Sequence, residues 1–519
     1  MTDPNTSVRN YARRALDLFA SYGDEEALVA PDGRRFTYAE VRAGVVTMAS
    51  ALWANGVRPG TAIGVLARNP PESLFLQLAA HLMGCRTAWI ANNAPPRFRA
   101  GFLALSQVDV FVYDTQTVPA MGEGLAATAP GVPVLCFGPD GLGPDLAAFP
   151  RADELPFDPA EVTFEPSSLF QTGGTTGSPK LVHHHQKFFF ALQDLAAAYI
   201  ASGEPRLRHL LIAGTWHVSA QTAAFMTLFA GGTLFLHDGL EYEPFLRTIE
   251  GERINSTLLS PGFFYELLDH PLLAQTDTSS LRTFSVAGSA AAPARLSQAI
   301  DKLGPVLRVV YGMSESPFIA ALPDLNVDPA HPERLASCGV PYGDIRVEIR
   351  DADGKVVEPG QVGEIWIAGS LLMAGYWGMP ELTAETIVDG WLRTGDAGKV
   401  DEYGYLYVVD RYKDMIVTGL SSTNVFCRPV EDVMAAHPEV RAAAVIGVPH
   451  PDMGESIYAY VVTTPGATVT GAELRAMVAA EFNDVWAPRE VEFIDEFPYT
   501  DSGKVDKRAL RDRYLARVR

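Results

Sequence analysis

Cysteine is scarce: Cys85, Cys136, Cys338 and Cys427 are the only four in 519 residues, far apart and without the paired spacing of a metal site. This excludes a disulfide scaffold or a zinc ribbon, and free thiols in a reducing cytoplasm are expected. Positive charge is also in deficit, with 41 Lys and Arg against 62 Asp and Glu and a formal net charge of -21. Such a surface repels phosphate backbones and anionic lipid, so the expected partners are small molecules or proteins, with no nucleic acid. Residues 1–15 lack an apolar core followed by a small-residue cleavage site, so no secretory leader is expected and the location read from sequence is cytoplasmic. No repeat of fixed period is evident. One uncharged stretch, residues 210–236, is long enough to cross a bilayer, but Trp216, His217, Ser219, Gln221 and Gly231-Gly232 interrupt it. It divides into strand end, helix, glycine C-cap and buried strand, so no membrane span is expected.

What is present is ordinary globular material, 47% hydrophobic and 20% charged, in a chain long enough for three or more packed units. Thr37-Tyr38-Ala39-Glu40 is a capping box that opens a helix running to Ala54 and ending at Asn55-Gly56. A strand at 62–66, a helix at 71–83 and apolar runs at 87–90 and 108–113 follow, an alternation that predicts α/β layers with parallel strands. Between 339 and about 407 the texture changes to short alternating strands with glycine turns, as in an antiparallel β subdomain. There Asp351-Ala352-Asp353-Gly354 reads as a hairpin turn, since no glutamate follows where a calcium loop needs one. From Asp414 strands at 443–448 and 457–462, a helix at 472–482 and a basic helix from Asp506 predict a small α+β domain. The charged junction Asp410-Arg411-Tyr412-Lys413-Asp414 is a candidate hinge.

Four segments carry chemistry. Gln171-Thr172-Gly173-Gly174-Thr175-Thr176-Gly177-Ser178-Pro179-Lys180 is suited to oxyanions. Its glycines let backbone amides approach phosphate, its hydroxyls donate and its lysine adds mobile charge. It is not a Walker loop, because Pro179 precedes the lysine and Leu181 follows it. Val310-Tyr311-Gly312-Met313-Ser314-Glu315 places an aromatic, a hydroxyl and a carboxylate at the end of an apolar strand. Gly390-Trp391-Leu392-Arg393-Thr394-Gly395-Asp396 ends in a carboxylate able to accept two ribose hydroxyls. Pro498-Tyr499-Thr500-Asp501-Ser502-Gly503-Lys504 presents a lysine on a tight polar turn.

In this order, and with the junction at 410–414, these motifs resemble the adenylate-forming superfamily of acyl-CoA synthetases, aryl-CoA ligases, luciferases and peptide-synthetase adenylation domains. The resemblance covers essentially the whole chain. It implies an α/β fold with a large N-terminal domain (1–412) of layered α/β subdomains plus a β subdomain (about 339–410), and a small mobile α+β C-terminal domain (413–519) hinged at Lys413. It implies ATP-dependent activation of a carboxylic acid to an acyl-AMP with release of pyrophosphate, then transfer to coenzyme A. In that reading Thr172, Thr175, Thr176 and Lys180, with Gly173 and Gly174 in the same loop, hold the β and γ phosphates. Tyr311 stacks on adenine, Ser314 touches the α-phosphate region, Glu315 ligates Mg²⁺, and Asp396 and Arg411 grip the ribose. Lys504 bridges the substrate carboxylate and the α-phosphate as pyrophosphate leaves. Trp216-His217 matches the motif that gates the acid site and assists thioester formation. The acid pocket is then lined by Trp216, Val218, Ala287, Gly288, Ser289, Ala290, Ala291, Gly312 and Met313.

Departures from the family pattern bear on the acceptor. After the junction the family has two glycines and an asparagine in a hairpin lining the pantetheine tunnel. Here Val417-Thr418-Gly419-Leu420-Ser421-Ser422-Thr423-Asn424-Val425 is two residues longer with one glycine. A carrier-protein thiol or a nitrogen nucleophile, nitrite-activating diazotase chemistry included, is the alternative acceptor, and a silent nucleotide-binding homologue is a third reading. No Arg or Lys in the pocket segments awaits a second carboxylate, which points to a monocarboxylic aryl or medium-to-long acyl substrate. His183-His184-His185 reads as the start of the helix after the phosphate loop.

Overall fold

Parallel strands need long crossovers, and the helices predicted between the apolar runs supply them. The computed structural model describes residues 10–172, 180–322, 332–411, 415–418, 423–450, 454–500 and 504–518. A seven-stranded sheet runs in the order Gly375–Tyr376, Lys180–His185, Ser167–Thr172, Arg86–Trp89, Ala62–Leu66, Val110–Asp114, Val134–Phe137. Its last five strands pair in parallel, and Lys180–His185 folds back antiparallel on Ser167–Thr172. A nine-stranded sheet contains the parallel strands Thr233–Leu236, Arg208–Leu211, Ser256–Leu259, Thr283–Ala287 and Leu307–Met313. One core joins residues of both sheets, such as Val65 and Leu234, through Phe189 and Phe225. Each ring so buried contributes about 1.5–3 kcal/mol.

Local signals are realised where they are self-contained. Thr37 Oγ1 accepts from Glu40 N and Glu40 Oε2 accepts from Thr37 N, the reciprocal cap of helix Tyr38–Ala54. Residues 210–236 contain the end of strand Arg208–Leu211, helix Val218–Phe229 and strand Thr233–Leu236; among the described residues no helix is long and apolar enough to cross a membrane. Asp351 Oδ1 accepts from Asp353 N and Lys355 N, which makes that segment a turn. None of the four cysteines is in a disulfide, and all are buried.

The three histidines depart from expectation. His183–His185 end strand Lys180–His185, and the helix begins at Gln186. Pairing on both sides decides this: Leu169 and Gly375 flank His183, so the segment is a middle strand before it can start a helix. Side chains therefore alternate, His183 and His185 sharing one face with rings 4.4 Å apart and His184 packing against Phe188 on the other.

The antiparallel sheet holds strands Arg346–Arg350, Gly363–Ala368, Ile387–Val388, Trp391–Val400 and Leu406–Arg411. Two segments of the same stretch leave it: Val340–Pro341 extends the nine-stranded sheet and Gly375–Tyr376 the seven-stranded one. Toward the C-terminus a fourth sheet centres on strands Val440–His450 and Gly454–Thr463, with Cys427–Ala435, Gly471–Glu481 and Lys507–Val518 as its helices. Apolar residues on the two faces of the sheet form two separate small cores.

Candidate active site

Strand Leu307–Met313 delivers Tyr311 to the edge of the antiparallel sheet, where its hydroxyl donates to Asp396 Oδ2 at 2.6 Å. The register of Trp391–Val400 on Leu406–Arg411 sets Arg411 opposite Asp396, and Arg411 Nε lies 3.2 Å from Oδ1. Asp396 is 5% exposed. Burial pushes its carboxyl pKa up, against the opposing pull of Arg411, the Tyr311 hydroxyl and Lys504. Three motifs from distant parts of the sequence therefore act on one carboxylate.

Glu315 lies in the turn after Met313, 6% exposed. Its Oε1 accepts from the Tyr376 hydroxyl at 2.6 Å, and its carbonyl accepts from Met373 N at 2.8 Å. The Lys180 ammonium stands 5.2 Å from the centroid of the same Tyr376 ring. Tyr376 thus stands between the Lys180 ammonium and the Glu315 carboxylate. Behind the turn, His184 Nε2 donates to Ser314 O at 2.8 Å, and burial pushes the imidazole pKa down to about 4. Neither Tyr376 nor His184 was singled out for the site from sequence. The signal for Tyr376 was the Gly375-Tyr376 pair within the β-rich stretch; for His184 the sequence offers none, since three consecutive histidines carry no alternation. Gly312 is needed for the approach of the neighbouring strand, since a Cβ there would stand 2.1 Å from Pro317 O.

Thr172 pairs with Lys180 at the root of the glycine-rich loop. Gly173, Gly174, Thr175 and Thr176 lie outside the described residues, as do Lys413 and residues 419–422. The root itself rests on a buried polar network. Gln77 Nε2 donates to Ser168 Oγ, Thr87 Oγ1 to Gln77 Oε1 and Trp89 Nε1 to Gln77 Oε1, each at 2.9 Å. Each such bond contributes about 1 kcal/mol, and together they fix strand Ser167–Thr172 from behind.

His217 precedes helix Val218–Phe229, its N donating to Gly214 O at 2.9 Å. Trp216 folds across Gly214, where any Cβ would stand 1.8 Å from the indole. Burial, aided by the charge of Lys504, pushes the His217 pKa down to about 4. Lys504 therefore lies within electrostatic reach of both His217 and Asp396. It is held by a short hairpin: Thr500 N donates to Lys504 O at 2.7 Å, Lys504 N to Thr500 Oγ1 at 3.2 Å, and Tyr499 bridges Val505. Ala287 and Met313 are half-buried, Val218 and Ala291 are buried, and Gly288, Ser289 and Ala290 are exposed on the loop after strand Thr283–Ala287.

Among the described residues no three His, Cys, Asp or Glu side chains are grouped to hold a metal by themselves. Glu315 alone suits Mg²⁺, which keeps several waters and takes one or two carboxylates together with substrate phosphates. Two open surface hollows of about 360 and 460 Å³ are lined by Phe493, Ile494, Asp495, Glu496 and Arg513, and by Arg253, Asn255 and residues 279–282. Neither includes a residue of the cluster, whose chemistry marks the site more firmly than hollow size.

Residues 16–377 match the family of AMP-binding enzymes and residues 429–504 the AMP-binding enzyme C-terminal domain. The chain is 36% identical over 495 residues to a feruloyl-CoA synthase of an Amycolatopsis species, covering 93% of this chain and 94% of that protein. It is 35% identical over 500 residues to the medium/long-chain-fatty-acid–CoA ligase FadD8 of Mycobacterium tuberculosis, covering 89% and 83%. Among solved structures, the amide bond synthetase McbA from Marinactinospora thermotolerans superposes with a TM-score of 0.86 at 35% identity, covering 97% of this chain and 99% of that one. The chain belongs to the AMP-binding enzyme family and is an ATP-dependent, adenylate-forming ligase.

Proposed function

We propose that the protein converts a monocarboxylic aryl or medium-to-long acyl substrate to its acyl-adenylate and passes the acyl group to the thiol of coenzyme A. The observation that carries this reading is the buried Asp396 shared by Tyr311 and Arg411, with Lys504 within electrostatic reach of it and of His217. A carboxylate is a poor electrophile; its attack on the α-phosphorus of ATP gives a mixed anhydride that a nucleophile can open. Asp396 accepts the ribose hydroxyls beside Arg411, and the Tyr311 ring faces adenine. Thr172, Lys180 and the loop at 173–176 hold the β and γ phosphates, and Ser314 lies at the α-phosphate. Glu315 is the ligand for Mg²⁺, which when bound offsets phosphate charge. Lys504 sits between the substrate carboxylate and the α-phosphate, so the charge that develops as pyrophosphate leaves meets a fixed cation. Trp216 and His217 close the acid pocket with Val218, residues 287–291, Gly312 and Met313.

Transfer calls for a different geometry. A boundary at Lys413, with 413–519 turning as a unit, would withdraw Lys504 and admit the acceptor. Withdrawal also removes one of the two influences that depress the His217 pKa, leaving burial. The neutral ring then becomes a better acceptor for the thiol proton at the step that releases one. The likeness to an amide bond synthetase and the longer segment at 419–424 favour a second reading, in which an amine takes the place of the thiol. Acid-dependent ATP–pyrophosphate exchange over a panel of acids tests adenylation; no exchange with any acid would sink it. Adding coenzyme A, then amines, to an active acid and weighing the products separates thioester from amide.

A further inference from the structure

We propose that Asp269, gripped by Arg295 and Arg441, is a positioning site that seats the C-terminal part of the chain so that Lys504 reaches the cleft. The proposal rests on the role given above to Lys504. Asp269 closes helix Pro261–Asp269, an end where the helix dipole disfavours a carboxylate. Two cations offset that penalty. Arg295 Nη2 lies 2.8 Å from Asp269 Oδ2 and Arg441 Nε lies 3.4 Å from the same oxygen. Arg295 is not a loose surface group: Nη2 donates to Tyr265 O at 2.9 Å, Nη1 donates to Gln298 Oε1 at 2.6 Å, and the guanidinium stands 5.0 Å from the Tyr265 ring centroid. Asp269 is therefore aimed before Arg441 arrives.

Arg441 is joined to Lys504 through a packed core. It lies near the start of strand Val440–His450, whose Ala444, Ile446 and Val448 are buried with Phe497, and Val505 packs against them. Phe497 and Val505 flank the hairpin that presents Lys504. Tyr499, on that hairpin, lies within electrostatic reach of both Glu266 and Arg441, and the Tyr242 hydroxyl donates to Glu266 Oε2 at 2.6 Å. The same helix thus meets Arg441 and the hairpin together. A half-exposed pair at 3.4 Å is weak, which suits a contact that must release when the acceptor enters.

The test uses the full-length enzyme with Asp269→Ala, Arg441→Ala, the double variant and Arg441→Lys. Acid-dependent exchange is compared with consumption of supplied acyl-adenylate by the acceptor, and ATP affinity is measured alongside. Each single alanine variant should lower the exchange rate about two- to five-fold, the double variant no further, and Arg441→Lys should restore most of it. ATP affinity and adenylate consumption should be unchanged. Spin labels at exposed Asp301 and Arg475, with the native cysteines buried, should give a broader distance distribution in Arg441→Ala. Additive losses, equal losses in both half-reactions, or an unchanged distribution overturn the proposal. Lys504→Ala is the control: if it exchanges normally, the adenylation role of Lys504 fails, whereas normal exchange in the Asp269 and Arg441 variants alone removes only the seating role.

Discussion

Replacing Tyr376 with phenylalanine should raise the magnesium requirement of adenylation while leaving the fold intact. The hydroxyl donates to Glu315 Oε1 at 2.6 Å, and both residues are under 10% exposed, so water cannot readily replace the lost donor. A hydrogen bond to a charged group contributes about 1.5–3 kcal/mol. Loss of a residue that orients a metal ligand lowers metal affinity by about 10–100-fold, the same range in another form. Phenylalanine keeps a ring beneath the Lys180 ammonium, which lies 5.2 Å from the tyrosine centroid, so phosphate binding by that lysine should survive. Exchange rates are measured across a magnesium titration, with metal-free ATP affinity and thermal unfolding as controls. The half-saturating magnesium concentration should rise about ten-fold or more, with the rate recovering at high metal. A uniform rate loss at every magnesium concentration would refute the reasoning, as would an unchanged titration.

Lys504→Ala should lower exchange by about 100-fold or more while ATP binding stays within a few-fold, measured by exchange and by calorimetry; near-normal exchange would remove the residue from the mechanism. Gly214→Ala puts a Cβ 1.8 Å from the Trp216 ring and must displace it, so KM for the acid should rise about ten-fold with KM for ATP unchanged; a shift in both constants points to general misfolding instead. His81, His184 and His209 are buried, and burial pushes their folded pKa down to about 3, 4 and 4. The unfolded chain, near 6.5, binds the extra protons, so each ring destabilises the fold as pH falls from about 6.5 toward 4, by up to about 3 kcal/mol. Urea unfolding at pH 7.5 and 5 should show this loss, and His209→Asn should make the difference smaller.

Legibility from sequence followed the range of the interactions. The capping box at Thr37 and Glu40, the strand at 62–66, the helix after Pro71 and the turn at Asp351 depend on groups a few residues apart, and all are present. The partners that hold the candidate site are not local. His184 reaches Ser314 across 130 residues and Tyr376 reaches Glu315 across 61. The histidine run was read as helix because the pattern of three polar rings is ambiguous by itself. Only Gly375 and Leu169 pairing on either side of His183 make it a strand.

By itself, then, the sequence determined the alternation of elements, the ordered motifs with their chemistry, and the absence of clustered thiols. These depend on backbone periodicity and on residue type. The tertiary structure alone decided that Asp396 is shared by Tyr311 and Arg411, that Tyr376 joins Lys180 to Glu315, and that Arg441 meets Asp269. Each of those contacts forms only when strands or helices far apart in sequence pair or pack, so no local pattern could encode its geometry.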